Sequence, residues 1–175
     1  MTTPPPLAPW LPANTAPHVA AVVRHALARV GVCEMPLGSN RSGLIDEWAR
    51  NAGAALGSFW CANFATECWR AAGLPTAGRG KDPSCDLLMA WAKATGRWST
   101  TPSLGAFVFY GPHADDATHV AVVVRLSPVT LVVGGNERFG AVASRNGVAV
   151  QLRAEQRTDI LGYAHPFPRD VAVAA

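Results

Sequence analysis

The sequence predicts an α+β domain in which N-terminal helices pack on a C-terminal antiparallel β-sheet. Apolar residues recur at helical spacing in the first half of the chain, and after Gly105 the pattern switches to short β-branched runs. Those runs are joined by short connections, so successive strands pair as hairpins, and helices segregated from strands are the mark of the α+β class.

The elements follow in order. Six of the fourteen prolines fall in the first 17 residues, where they remove backbone donors and favour extended conformations, so 1–17 reads as a Pro-rich arm outside the fold. From His18 to Gly31, Val19, Val22, Val23, Ala26, Leu27 and Val30 form a helical stripe, with Asn14 or Thr15 as cap. The segment from Glu34 to Arg41 is a loop by its Pro, Gly, Ser and Asn content. Ser42 caps a second helix that Gly53 ends. A third helix runs from Trp60 to Ala72 with Ser58 as cap and stops at Gly73-Leu-Pro75; a fourth follows Asp82-Pro83 and ends at Gly96. Strands are expected over 106–110, 118–126, 129–133, 148–152 and 160–164. The domain spans 18–168, and 169–175 is a tail.

The composition excludes several classes. Hydrophobic residues make up 49% and charged ones 15%, well below the usual charged share of about 25%, so this is no charge-rich disordered chain. A net charge of +3 with scattered arginines argues against nucleic acid as a partner. Neither a membrane span nor a signal peptide is expected, and on that expectation synthesis is in the cytoplasm. Four cysteines without a Cys-x-x-Cys pair form neither a disulfide scaffold nor a zinc knuckle, and no cofactor is called for. A monomer is expected.

Cys61 is the first candidate for chemistry. At the start of a helix, unsatisfied amides and the positive end of the dipole stabilise a thiolate. Cys68, about 10 Å further along the same helix, reads as packing, as do Cys33 and Cys85, which lack a histidine context. A thiolate needs a base, and His119 stands at the entry to the apolar run Thr118–Val124; a histidine satisfied by a backbone carbonyl at a strand end is the alternative. In an antiparallel hairpin, paired positions have a constant sum. A turn centred between 127 and 128 therefore sets His119 opposite Asn136, whose amide can hold the imidazole tautomer. A one-residue slip presents Gly135 or Glu137 instead, so Glu137 stands as the substitute.

Together, Phe59-Trp60-Cys61-Ala62-Asn63-Phe64, Thr118-His119-Val120-Ala121-Val122-Val123 and Gly134-Gly135-Asn136 resemble the cysteine, histidine-dependent amidohydrolase/peptidase (CHAP) family, a branch of the papain-like hydrolases that mostly cut peptidoglycan. The segment Glu34-x-Pro36-x-Gly38-Ser39-Asn40-Arg41 resembles one that many such domains carry before the nucleophile, and the likeness spans roughly His18 to Pro166. The resemblance implies a papain-like fold with Cys61 as nucleophile, His119 as base and then acid, and Asn136 as the orienting residue. It also implies that Trp60, Ser39 and Asn40 line a substrate groove, core packing being the other reading of Trp60. The substrate implied is bacterial peptidoglycan, cut as an N-acetylmuramoyl-L-alanine amide or within the stem peptide. Many members read Pro-Gly-Asp and Glu-Gly-Asn where this chain has Leu104-Gly105-Ala106 and Gly134-Gly135-Asn136, so the family's acidic partner is absent from its usual place.

A wall hydrolase without a signal peptide reaches its substrate through a holin-dependent phage lysis system, as an endolysin, through a secretion machine as an antibacterial effector with a cognate immunity protein, or on a phage tail. Two rival readings stand beside this one. His113 and His119, with Asp115 and Asp116 between them, offer zinc-type ligands for a metal hydrolase, and a non-catalytic wall-binding or virion module keeps the fold without the activity.

Overall fold

The computed structural model describes residues 11–138 and 147–168. Four helices come first: α1 (Pro17–Ala28), α2 (Gly43–Ala52), α3 (Cys61–Ala71) and α4 (Cys85–Ala94). Six strands follow: β1 (Trp98–Ser99), β2 (Phe107–Tyr110), β3 (His119–Arg125), β4 (Leu131–Glu137), β5 (Ala149–Ala154) and β6 (Ile160–Ala164). They form one antiparallel sheet in the order β1-β6-β2-β3-β4-β5. The class is α+β, as the segregation of periods predicts. Strand β1 escapes a reading by period because two residues cannot display one.

The helix starts differ from expectation in three places. α1 opens at Ala16 without a side-chain cap and carries Pro17 in its first turn; Pro lacks one of the orphan N–H groups and presets φ. Thr15 turns its hydroxyl to the Pro12 carbonyl instead, at 2.7 Å. At α3 the cap position is Trp60, not Ser58, whose hydroxyl donates to the Ala55 carbonyl at 2.7 Å. At α4 the cap is Ser84, which accepts from the Leu87 N–H at 3.2 Å. Asp82 is buried and accepts from Arg70, Thr76 and the Gly78 N–H, closing the loop between α3 and α4.

The end of α2 behaves as expected. Ser42 caps its start, and Gly53 closes it at φ 82°. A side chain at position 53 would also meet Arg79 Cγ at 2.7 Å and Gly80 N at 2.8 Å, so glycine is required there on two counts.

The helices cover one face of the sheet. Phe107, Phe109, Val120, Val122, Val124, Val133 and Val150 meet Trp48, Trp60, Phe64 and Trp69 there. Trp69 stacks on Phe107 with ring centroids 4.0 Å apart, and its indole N–H donates to the Gly105 carbonyl at 2.8 Å. That bond satisfies the polar edge of a fully buried aromatic. The opposite face carries a smaller cluster, including Val108, Tyr110, Ala121, Val123 and Val132. His165 is buried and bonded to Ser103 Oγ at 2.7 Å.

Candidate active site

Cys61 is the first residue of α3, a helix that packs on β3 and β4. Its sulfur is buried yet lines a cleft of about 680 Å³. The thiol is held well below its ordinary range by a hydrogen bond from Cys85, against the opposing effect of burial, with further help from the His119 side chain and the Val120 N–H. First-turn amides without intrahelical acceptors add to this.

His119 is the first residue of β3. Its Nε2 bonds Glu137 Oε1 at 3.0 Å, which leaves Nδ1 as the ring nitrogen for Cys61. Burial alone would lower the imidazole pKa, but Cys61 and Glu137 outweigh it and raise it to about 9. Glu137 moves the other way: burial opposes its charge, but His119 and Arg153 together pull it down to about 2. Arg153 Nε donates to the same Oε1 at 3.1 Å, and the guanidinium lies over the Tyr110 ring at 5.2 Å. Cys61, His119, Glu137 and Arg153 thus form one connected row.

The hairpin arithmetic and the outcome at position 136 separate at a bulge. Ala121↔Gly134, Val122↔Val133 and Val123↔Val132 all keep the sum that sets 119 against 136. On the other side of β4, Gly134 pairs with Gln151 but Glu137 with Ala149, so β4 holds one extra residue between 134 and 137. Asn136 takes up that residue at φ 56°, a left-handed conformation Asn tolerates. Its Oδ1 is buried with no partner among the described residues, whereas the carboxylate of Glu137 meets His119. Gly134 makes room for this: a Cβ there would collide with Glu137 Oε1. The carboxylate therefore occupies the space that a side chain at position 134 would fill. Gly135 is needed for a separate reason, because a Cβ there would lie 2.6 Å from Phe64 Cβ and 2.9 Å from Trp60 Cζ3, blocking the approach of β4 to α3.

The residues expected in the substrate groove do not line this cleft. Trp60 is fully buried and donates its indole N–H to Glu34 Oε1 at 2.9 Å; a side chain so enclosed packs the helix start. Asn40 is buried at φ 54°, and Ser39 Oγ accepts from the Arg41 N–H at 3.2 Å, both within the turn before α2. The cleft is lined instead by Phe59, Thr118, Asn136, Arg138, Gln151 and Arg157, among others. Of these, exposed Phe59 had a sequence signal in its place beside the nucleophile, whereas the arginines of β5 and beyond had none. His113 is exposed and bridges to Asp116 in its loop, and among the described residues no group of three or more His, Cys, Asp or Glu could hold a metal ion.

Comparison with known proteins adds the context. The P60 domain of an antigen from M. avium subspecies paratuberculosis is similar in structure, with a TM-score of 0.48 and 14% identity over 85% of this chain and 94% of that one. The peptidoglycan hydrolase RipB from Mycobacterium tuberculosis is similar with a TM-score of 0.49 and 18% identity, over 95% of this chain and 73% of that one. No curated protein sequence matches. The CHAP domain profile matches residues 49–136, just over half of the chain. Both Cys61 and His119 lie inside that span, and the chain belongs to the CHAP domain family.

Proposed function

We propose that this chain is a cysteine-dependent peptidoglycan hydrolase acting on the cell wall, with 18–168 as its catalytic domain. The observation that carries the reading is the row from Cys61 to His119 to Glu137, opening on a cleft. Glu137 accepts the Nε2 proton of His119 and so keeps the Nδ1 lone pair toward Cys61, which gives up its proton to that nitrogen. The thiolate attacks the amide carbonyl carbon. The oxyanion that forms lies beside the Cys61 N–H, which has no acceptor within α3. His119 Nδ1 then protonates the leaving amine, the C–N bond breaks and a thioester remains. Water, losing its proton to the same nitrogen, attacks the thioester and releases a carboxylic acid and the thiolate. Asn136, one residue from the carboxylate and lining the cleft, is a substrate contact in this scheme rather than the holder of the ring.

The test is digestion of purified peptidoglycan followed by mass spectrometry of the fragments. A muramoyl-alanine amidase leaves a free lactyl carboxyl on the sugar and a free alanine amine; an endopeptidase leaves both new termini within the peptides. Intact peptidoglycan after digestion, or cleavage that a chelator abolishes and zinc restores, would overturn the thiol mechanism.

A further inference from the structure

Beside the Cys61 sulfur lies a second sulfur that the hydrolytic scheme does not require. Cys61 Sγ and Cys85 Sγ lie 3.8 Å apart, and both thiols are free. The two residues open different helices, α3 and α4. The start of α4 is pinned by the Ser84 cap and by Asp86, whose carboxylate accepts from the Ala117 N–H at 2.6 Å, just ahead of β3. That contact ties the start of α4 to the loop that leads into β3.

We propose that Cys61 and Cys85 constitute a reversible disulfide site, oxidised by hydrogen peroxide or an organic hydroperoxide, with Cys85 as the resolving thiol. Bringing the sulfurs from 3.8 Å to a bonded separation of about 2.05 Å asks each to swing by about 0.9 Å, within the range of small side-chain rotations.

The chemistry balances in two steps. The Cys61 thiolate attacks one peroxide oxygen, the O–O bond breaks, and hydroxide leaves as Cys61 becomes a sulfenic acid. Cys85, losing its proton to that hydroxide, attacks the Cys61 sulfur; the S–O bond breaks, its oxygen takes up the proton that Cys61 had given to His119 and departs as water, and the disulfide forms. Two thiols lose two electrons, and hydrogen peroxide is reduced to two waters.

The site divides the labour accordingly. Hydrogen bonding from Cys85 favours the thiolate at Cys61, while Cys61 and burial keep Cys85 protonated. Only Cys61 of the pair lines the cleft by which a peroxide enters. The other two cysteines are placed differently: Cys68 is fully buried within α3, and Cys33 donates its thiol to the Gly31 carbonyl at 3.2 Å. Closing the disulfide removes the nucleophile reversibly and shields it from further oxidation.

The test uses the whole chain, treated with a slight excess of hydrogen peroxide, alkylated and digested with trypsin. The expected result is a mass loss of about 2 Da and a link between peptides 51–70 and 82–93, with fragmentation placing the bond at Cys61 rather than Cys68. Dithiothreitol should restore both alkylatable thiols. In Cys85→Ser the same treatment should carry Cys61 to the sulfinic acid, a gain of about 32 Da that dithiothreitol does not reverse. The proposal is overturned if wild-type Cys61 gains oxygen while Cys85 stays alkylatable, if the link runs through Cys33 or Cys68, or if Cys85→Ser recovers as fully as the wild type. These readouts are masses and linkages, so they are independent of whether the protein cuts peptidoglycan.

Discussion

Cys61 and Cys68 lie two turns apart on the same helix, are both buried and have opposite properties. Burial pushes the Cys68 thiol far up, with Glu67 adding to the shift, and nothing nearby favours its anion strongly enough to compensate. Cys61 suffers the same desolvation, but Cys85, His119 and the Val120 N–H all favour its thiolate. Burial therefore does not set the two thiols apart. The distinguishing feature is what meets the sulfur: the open first turn of a helix, the end of a strand and the start of a second helix, against a closed interior turn.

The largest expected effect follows from this contrast. Cys61→Ser should lower peptidoglycan cleavage by at least about 1000-fold while leaving the far-UV spectrum and cooperative unfolding unchanged, because a serine hydroxyl is far less acidic than this thiol. Cys68→Ser should retain cleavage. If the two variants lost activity equally, the contrast between helix start and helix interior would be wrong.

The next effect concerns what holds the imidazole. Glu137→Gln should reduce turnover by about 10- to 1000-fold, since the carboxylate both fixes the ring and stabilises its cationic form, and Asn136→Ala should cost less. The reverse ranking, measured as kcat/KM on a defined muropeptide, would mean that Asn136 orients His119 and that the bulge is rearranged when substrate binds.

Smaller in size is the cost of disturbing the packed cysteine. Cys68→Ala should destabilise the fold by about 1 to 3 kcal/mol through a lost contact and a small cavity, read from denaturant midpoints at constant m-value.

The smallest effect is the pH dependence of stability. His119 is raised from 6.5 to about 9, so its contribution is fully present below pH 6.5 and is lost as the pH rises through about 9. Glu137 is lowered from 4.5 to about 2, so its contribution is fully present above pH 4.5 and is lost as the pH falls through about 2. The difference in Tm between wild type and Glu137→Gln should therefore be greatest between pH 4.5 and 6.5 and shrink on either side. A difference that stayed constant from about pH 2 to about pH 9 would show that the pair does not titrate as a unit.

How far the sequence could be read depends on the distance over which each feature is decided. The four helices and the five longer strands are legible because hydrophobic period, glycine stops and proline positions act within a few residues. Cys61 at a helix start and His119 at a strand start are legible for the same reason, and so is the β3–β4 register, which a short turn determines over 121–123 and 132–134. The partner of the imidazole was not decided locally. An extra residue in β4, a left-handed Asn136 and the missing Cβ of Gly134 together swing Glu137 into the space beside His119. Nor did spacing along the chain show that Cys85, 24 residues beyond Cys61, would meet its sulfur, or that Arg153 would brace the carboxylate from β5. By itself the sequence determined which residues could carry the chemistry; only the tertiary structure decided which of them meet. Those meetings depend on strand bulges, helix docking and the volume left by absent side chains, each set by contacts between segments far apart in the chain.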